Sequence, residues 1–242
     1  MGQGASVLNQ SSRHASSDLL MSTFSIVVAA DQASGIGLRG GLPWRLRKDM
    51  AFFAKVTSAI PATTTQPNND IQRVNACIMG RRTWESIPAK FRPLVNRFNI
   101  IVSRDPHYLD DKAEKNNPMV ALATSFQSAL ELAETYQQPR QVTATTSPSG
   151  PVIVIERVFL IGGGQLYAEG IQSTACQHIF LTRIHTTVEC DAFFPPIRES
   201  DYTLLSSKEA HSFLEDYVQD SIEEGTIVEG AYQYEYTVYD RT

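Results

Sequence analysis

The sequence predicts an α/β protein: a mainly parallel, twisted sheet with helices on both faces and an antiparallel strand at its C-terminal edge. Three observations predict it. Short β-branched runs recur along the chain and alternate with helical patterns, which is how parallel sheets are built. Most of these runs are apolar throughout, as in strands covered on both faces. The last β-rich segments follow one another without a helical pattern between them, so the final strand is expected to be antiparallel. With 242 residues, of which 42% are hydrophobic, the chain can bury one sizeable core. Nothing in it calls for a second domain, and residues 23–242 are read as one.

Residues 1–22 are rich in Ser and Gln and are expected to be a disordered lead. Met1-Gly2 followed by Ser6 fits the short N-myristoylation pattern. No basic run follows, and a single acyl chain binds membranes only marginally, so a chance match is the preferred interpretation; Met21 is an alternative start. Residues 25–30 (SIVVAA) form the first strand. A loop rich in glycine (Gly35, Gly37, Gly40, Gly41) runs to Pro43. A helix over about 46–57 follows, with Leu46, Met50, Phe53 and Ala54 at apolar spacing. Residues 59–72 are a surface loop. Strands are predicted at 74–79, 97–102 and 119–123, and Gly80-Arg81-Arg82-Thr83 opens a short helix. Ser125, with Ser128 three residues on, caps a helix reaching about 137. Residues 138–151 are a low-complexity insertion. A strand at 158–161 leads into Gly162-Gly163-Gly164 and a helix. Residues 178–184 and 203–205 are strands, and 232–239 (YQYEYTVY) alternates like a hairpin or edge strand.

The formal net charge of -5 argues against non-specific nucleic-acid binding. Cys77, Cys176 and Cys190 form no CxxC and are odd in number, which favours reduced thiols over disulfides or a metal site. No apolar stretch approaches the length of a membrane span.

Asp49 is the only acidic side chain between Asp31 and Asp70. It stands beside Leu42, Trp44, Met50, Phe52 and Phe53, and shares one helix face with Phe52 and Phe53. It either compensates the helix dipole in the first turns or is aimed at a cationic or amidine-like group on a flat ligand. Thr182 lies in an apolar strand. Its hydroxyl either reflects strand propensity or has a buried partner such as Asp49. Arg97 either faces solvent or offers its planar fork to a carboxylate.

Ligands of α/β sheets bind beyond the carboxyl ends of the strands. Gly80-Arg81-Arg82-Thr83 and Ser103-Arg104 place donors and positive charge at two such ends, suited to a phosphate if they are not merely solvated. Gly162-Gly163-Gly164 lets a ligand approach the backbone at a third end, or is a generic turn. Tyr167 lies over that turn or packs in the core.

In order, the segments IVVAADQASGIGLRGGLPW, RKDMAFF, IMGRRTWESIP, RPLVNRFNIIVSR, FLIGGGQLY, FLTRI and DAFFP resemble dihydrofolate reductase over nearly all of residues 24–240, of the longer eukaryotic or fungal type. The resemblance implies that Asp49 holds the 2-amino and N3 edge of the pterin, where many vertebrate members carry Glu. Trp44 and Thr182 order a water beside it, and Leu42 covers the site from a mobile loop. Val27, Val28, Met50, Phe53, Ile87 and Leu94 line the folate pocket, and Arg97 grips the α-carboxylate of the glutamate tail. NADPH is the implied cofactor. Gly80, Arg81, Arg82, Thr83, Ser103 and Arg104 take its adenosine-phosphate side. Ala29, Ile36, Gly37, Ile161, Gly162, Gly163, Gly164, Gln165, Leu166 and Tyr167 take its pyrophosphate and nicotinamide side, with a cis Gly-Gly bond.

The expected reaction is NADPH-dependent reduction of 7,8-dihydrofolate to tetrahydrofolate, with hydride delivered to pterin C6 and protonation at N5 assisted by Asp49 and an ordered water. Loop 31–43 is expected to close over the nicotinamide. A cytoplasmic monomer without an attached thymidylate synthase domain is implied. The alternatives are the NADPH-dependent pyrimidine reductase of riboflavin synthesis, which Asp49 and Arg97 disfavour because its substrate has no glutamate tail, and a non-catalytic pterin- or nucleotide-binding protein.

Overall fold

The structure, a computed structural model, describes residues 23–61, 71–137 and 151–242. The lead over 1–22, with its acylation pattern, and residues 62–70 and 138–150 of the two insertions lie outside the described residues.

Six parallel strands form the centre of the main sheet: β1 (Phe24–Ala30), β3 (Ile71–Gly80), β4 (Arg97–Val102), β5 (Val120–Ala123), β6 (Val152–Leu160) and β7 (Cys176–Ile184). With β2 (Gly35–Gly37), β8 (Ala192–Phe193), β9 (Tyr202–Leu204), β10 (Ile227–Glu229) and β11 (Tyr232–Arg241) the strands number eleven among the described residues. The order in the main sheet is β10-β11-β7-β1-β6-β3-β4-β5, and β9 also pairs with β11. Strand β11 runs antiparallel to β7, so the C-terminal edge is antiparallel, as the sequence predicts. Strands β2 and β8 form a separate two-stranded sheet.

Helices cover both faces. Strand alternation sends Phe24, Ile26, Val28 and Ala30 toward α3 (Phe126–Thr135) and α4 (Gly164–Gly170). Val27, Cys77, Met79, Phe159 and Phe180 point the other way, toward α1 (Arg47–Ser58), α2 (Arg81–Ser86) and α5 (Ser207–Val218). Helix α3 starts at Ser125, whose side chain accepts from the Ser128 amide while Ser128 reaches back to the Ser125 amide, a reciprocal cap that satisfies two orphan donors.

The short strands β2, β8 and β10 were not predicted, and β3 starts at Ile71, within the stretch 59–72 read as a surface loop. Two further differences have a physical reason. Helix α5 intervenes between β9 and β10, where no helix was expected. Its signal is local: Ser206 and Glu209 form a capping box, and Ala210, Leu214 and Val218 are buried at helical spacing. Strand β6 begins at Val152, six residues before the predicted start. The charged pair Glu156-Arg157 interrupts its apolar run, and the register with β3 slips there: Val74 pairs with Ile155 but Ala76 with Val158. That is a bulge with one surplus residue in β6. Its two charges are used. Glu156 pairs with Arg73, and Arg157 donates to the carbonyls of Ala59 and Tyr217.

Candidate active site

Helix α1 packs on the sheet against β3, with Asn75 donating to the Thr57 carbonyl at its last turn, and its first turn presents Asp49 to Thr182 of β7. Asp49 is only 6% exposed. Its Oδ1 accepts a hydrogen bond from Thr182 Oγ1 at 2.6 Å. Burial pushes its carboxyl up to about 6; the Thr182 bond opposes the rise and the negative charge of Glu229 adds to it. The buried stripe of α1 runs through Asp49, Phe52, Val56 and Thr57 rather than the predicted Met50, Phe53 and Ala54; the predicted Leu46 is buried but stands just ahead of the helix. Phe52 stacks on Tyr236 at 3.8 Å between ring centroids. Met50 is exposed and Phe53 half-buried, which leaves an apolar surface beside the acid. Trp44 is buried with Leu46, Ile184 and Tyr234, and Ala29 packs on this group. Among the described residues the Trp44 Nε1–H has no acceptor. Leu42 stands exposed on the preceding loop.

Along the same face, Val27, Phe53, Ile87 and Leu94 belong to one apolar cluster. The Val28 side chain does not join them, because successive strand residues face opposite ways; it packs under α3 and α4. At the far end of the face lies Arg97, only 8% exposed. Its Nη1 donates to Thr57 Oγ1 at 2.9 Å and its Nε to the Val95 carbonyl at 3.0 Å. The guanidinium carbon sits 5.8 Å from the Phe53 ring centre. Burial lowers the affinity of this group for its proton, and among the described residues no carboxylate forms an ion pair with it. A buried cation without a counter-charge is suited to an incoming anion.

The second part of the cleft is backbone. The Gly80 amide donates to the Gly162 carbonyl at 2.8 Å, and the Gly162–Gly163 peptide bond is cis. Gly162 has φ +138°, and a Cβ there would meet Thr83 Oγ1 at 2.9 Å. A Cβ on Gly163 would meet the same oxygen at 3.3 Å, so only glycine allows the β6–α4 turn to lie flat against Thr83. Arg81, Arg82 and Arg104 are exposed around it. Arg81 lies 4.0 Å from Glu85; among the described residues Arg82 and Arg104 have no carboxylate partner. Ser103 is buried, and its hydroxyl accepts from the Asp105 amide at 3.2 Å.

The remaining predicted cofactor residues divide. Ile161 joins the α1-side cluster, Ile36 packs against the opposite one, and Gln165 is exposed. Gly37 is buried, with its carbonyl accepting from the Asp191 amide at 2.9 Å. Leu166 and Tyr167 are core residues. The Tyr167 hydroxyl donates to the Val27 carbonyl at 2.8 Å, so it braces β1 from within.

Comparison with known proteins decides the family. The family model for dihydrofolate reductase matches residues 23–219. The chain belongs to the dihydrofolate reductase family. It is thereby an oxidoreductase of the class that reduces dihydrofolate. It is 36% identical over 222 residues to a dihydrofolate reductase of Aedes albopictus, covering 91% of this chain and 98% of that one. It is 38% identical over 220 residues to one of Candida albicans, covering 89% and 95%. A bifunctional dihydrofolate reductase-thymidylate synthase of Glycine max is 40% identical over 186 residues; those cover 77% of this chain and 30% of that protein. Among solved structures, Schistosoma mansoni dihydrofolate reductase superposes with a TM-score of 0.62 at 29% identity, covering 90% of this chain and 98% of that one.

Several site residues escape sequence reasoning. Thr57 stands eight positions after Asp49, on the same helix face, and that spacing is a usable signal. Asp31 accepts from the amides of Ala33, Gly35 and Val188 and so anchors the glycine-rich loop at its start. An Asp at a strand end ahead of Gly is a turn signal. Tyr236 and Glu229 reach α1 from nearly two hundred residues away, and nothing local announces them.

Proposed function

We propose that the protein reduces 7,8-dihydrofolate to 5,6,7,8-tetrahydrofolate with NADPH. The observation that carries this is the pairing on one cleft face of a buried acid and a buried, uncompensated arginine. Asp49 and Arg97 are separated by the apolar surface of Phe53, Ile87 and Leu94. A flat ring with amidine-like N–H donors at one end and a carboxylate tail at the other matches that spacing of charges.

The residues present fit the cofactor. The glycine turn at Gly162–Gly163, which lies flat on Thr83 because neither residue carries a Cβ, offers bare backbone suited to close approach of a pyrophosphate. Arg82 and Arg104, which have no carboxylate partner among the described residues, suit a 2′-phosphate. When bound, NADPH supplies the hydride.

The chain's own groups do the rest. Asp49 accepts the 2-amino and N3 hydrogens, fixes the ring's orientation and polarises it. Thr182 holds the carboxylate in place, with its own O–H committed to Asp49 Oδ1. With its proton affinity raised to about 6, the acid is poised near neutrality, where a general acid–base group works best. It faces the N3 side, so a water held near the unpartnered Trp44 Nε1–H carries the proton to N5. Met50, Phe53 and Leu42 exclude bulk water. Arg97 grips the α-carboxylate of the tail.

The same reading makes the protein a cytoplasmic monomer that serves one-carbon metabolism and a target of methotrexate-type antifolates. No helix among the described residues is long and apolar enough to cross a membrane.

The test is NADPH oxidation followed at its absorbance band with dihydrofolate, and separately with the aminopyrimidine substrate of the riboflavin pathway. Turnover with dihydrofolate alone is the expected result. Turnover with the pyrimidine alone overturns the assignment, and binding of both ligands without turnover means a binding protein.

A further inference from the structure

We propose that Glu229 is a positioning residue for this reaction: its carboxylate fixes where α1 stands in the cleft and presents a second negative charge to Asp49. This rests on the role given to Asp49 above.

An α-helix leaves its first amides without internal partners. Helix α1 follows Leu46, which has no side-chain cap to offer. Glu229 supplies it from another part of the chain. The Arg47 amide donates to Oε1 at 2.6 Å and the Lys48 amide to Oε2 at 3.1 Å. With both oxygens engaged, the direction of the helix start is fixed as well as its position. The Tyr234 hydroxyl donates to Oε2 at 3.0 Å and orients the carboxylate from β11. Glu229 ends β10 and pairs with Tyr232 across the hairpin, so the cap is tied to the main sheet.

Asp49 is the residue after Lys48, so any displacement of the helix start passes directly to the acid. The outer flank of α1 is tied to the same C-terminal segment: Lys48 Nζ lies 2.8 Å from Glu223 and Lys55 Nζ lies 2.7 Å from Asp220.

The elements packed against α1 present few charges to Asp49. Thr182 comes from β7, Tyr234 and Tyr236 come from β11, and Glu229 comes from β10. Lys48 and Glu223 pair at the exposed flank. Burial alone would raise the Glu229 carboxyl; the Arg47 and Lys48 amides and the Tyr234 hydroxyl outweigh it and hold it below the usual glutamate range. Glu229 therefore stays ionised where Asp49 titrates, and its charge helps Asp49 to keep its proton.

Two variants separate position from charge. Glu229→Gln keeps an acceptor for the Arg47 amide and removes the charge; Glu229→Ala removes both. The pH profile of dihydrofolate turnover is expected to shift its midpoint to lower pH in both. In Glu229→Gln, KM stays within about twofold; in Glu229→Ala, kcat/KM falls about tenfold, the scale of a lost cap. An unchanged midpoint in both, with only a lower Tm, overturns the proposal and leaves a plain structural cap. If Glu229→Ala does not fold, the Glu229→Gln profile decides. The pH dependence of Tm, in wild type and Glu229→Gln with Asp49→Asn as reference, reads the Asp49 titration without substrate. A shift there in a protein that does not turn over dihydrofolate sinks the assigned reaction and leaves the coupling standing. No shift there sinks the coupling whatever the activity.

Discussion

The cleft has two halves built from different materials. The α1 half consists of side chains: Asp49, Phe53, Thr57, Thr182 and Arg97 come from α1, β7 and β4, and each of the four polar ones is held by a hydrogen bond to another of them or to backbone. The β6–α4 half consists of backbone, namely Gly80, Gly162 and Gly163 packed on Thr83. The first half can be changed one functional group at a time with the fold intact. The second cannot, because its function is the absence of side chains.

Asp49→Asn probes the first half hardest. The turnover of dihydrofolate is expected to fall by about 10²–10⁴-fold with NADPH affinity unchanged, as measured by stopped-flow and fluorescence titration. Stability moves the opposite way. The folded protein raises the Asp49 carboxyl from 3.8 to about 6. The native state therefore holds this proton where the unfolded chain releases it, and stability falls as pH rises through that window. At neutral pH the buried charge costs about 3 kcal/mol. Asp49→Asn should melt several degrees higher than wild type at pH 7 and at nearly the same temperature near pH 4. Equal melting curves at pH 7 would mean the acid is not desolvated.

Arg97→Leu tests the other end of the same half. Removing one partner of a buried, hydrogen-bonded charge pair costs ~2–5 kcal/mol, so KM for dihydrofolate should rise roughly a hundredfold with little change in kcat. A pteridine without a glutamate tail should be affected far less.

Gly162→Ala carries the comparison to the backbone half. Its φ of +138° and the 2.9 Å approach to Thr83 make a side chain costly there, by about 1–3 kcal/mol. Tm should fall, and the further rise in Tm on adding NADPH should shrink. A normal NADPH response would show that the turn does not cradle the cofactor.

Thr182→Val is the mildest change. It removes the hydroxyl that favours the ionised acid, so the Asp49 midpoint should move above about 6, with kcat lowered roughly tenfold at pH 7. An unshifted pH profile would detach Thr182 from the acid.

The two halves also differ in how far the sequence reveals them. The glycine turn is contiguous, so three residues in a row announce it. So does Asp49, a lone acid among large apolar residues on a helix of predictable period. The pairing of Thr182 with Asp49 follows from a simple demand, that a hydroxyl in an apolar strand have a partner. What stays hidden is whatever depends on register or on distant chain. Val28 lies beside Val27 in sequence but on the other face of β1. Tyr167 could lie over the glycine turn or pack in the core, and only the fold shows its hydroxyl bonded to the Val27 carbonyl. Tyr236 and Glu229 come from β11 and β10, whose distance along the chain carries no periodic signal. Helix α5 was legible through Ser206 and Glu209 but was obscured by the β-rich segments flanking it.

The surplus residue in β6 decides which way the end of that strand looks. In an unbroken strand, residues an odd number apart take opposite sides. Yet Ile155 and Val158, three apart, both belong to the α3–α4 core, because one position is skipped at Glu156-Arg157. Everything downstream inherits the corrected parity: Phe159 and Ile161 turn toward α1, while Val158 and Leu160 turn away. Deleting that one residue would invert the frame, exchanging the wall of the cleft for its foundation just ahead of the triple glycine.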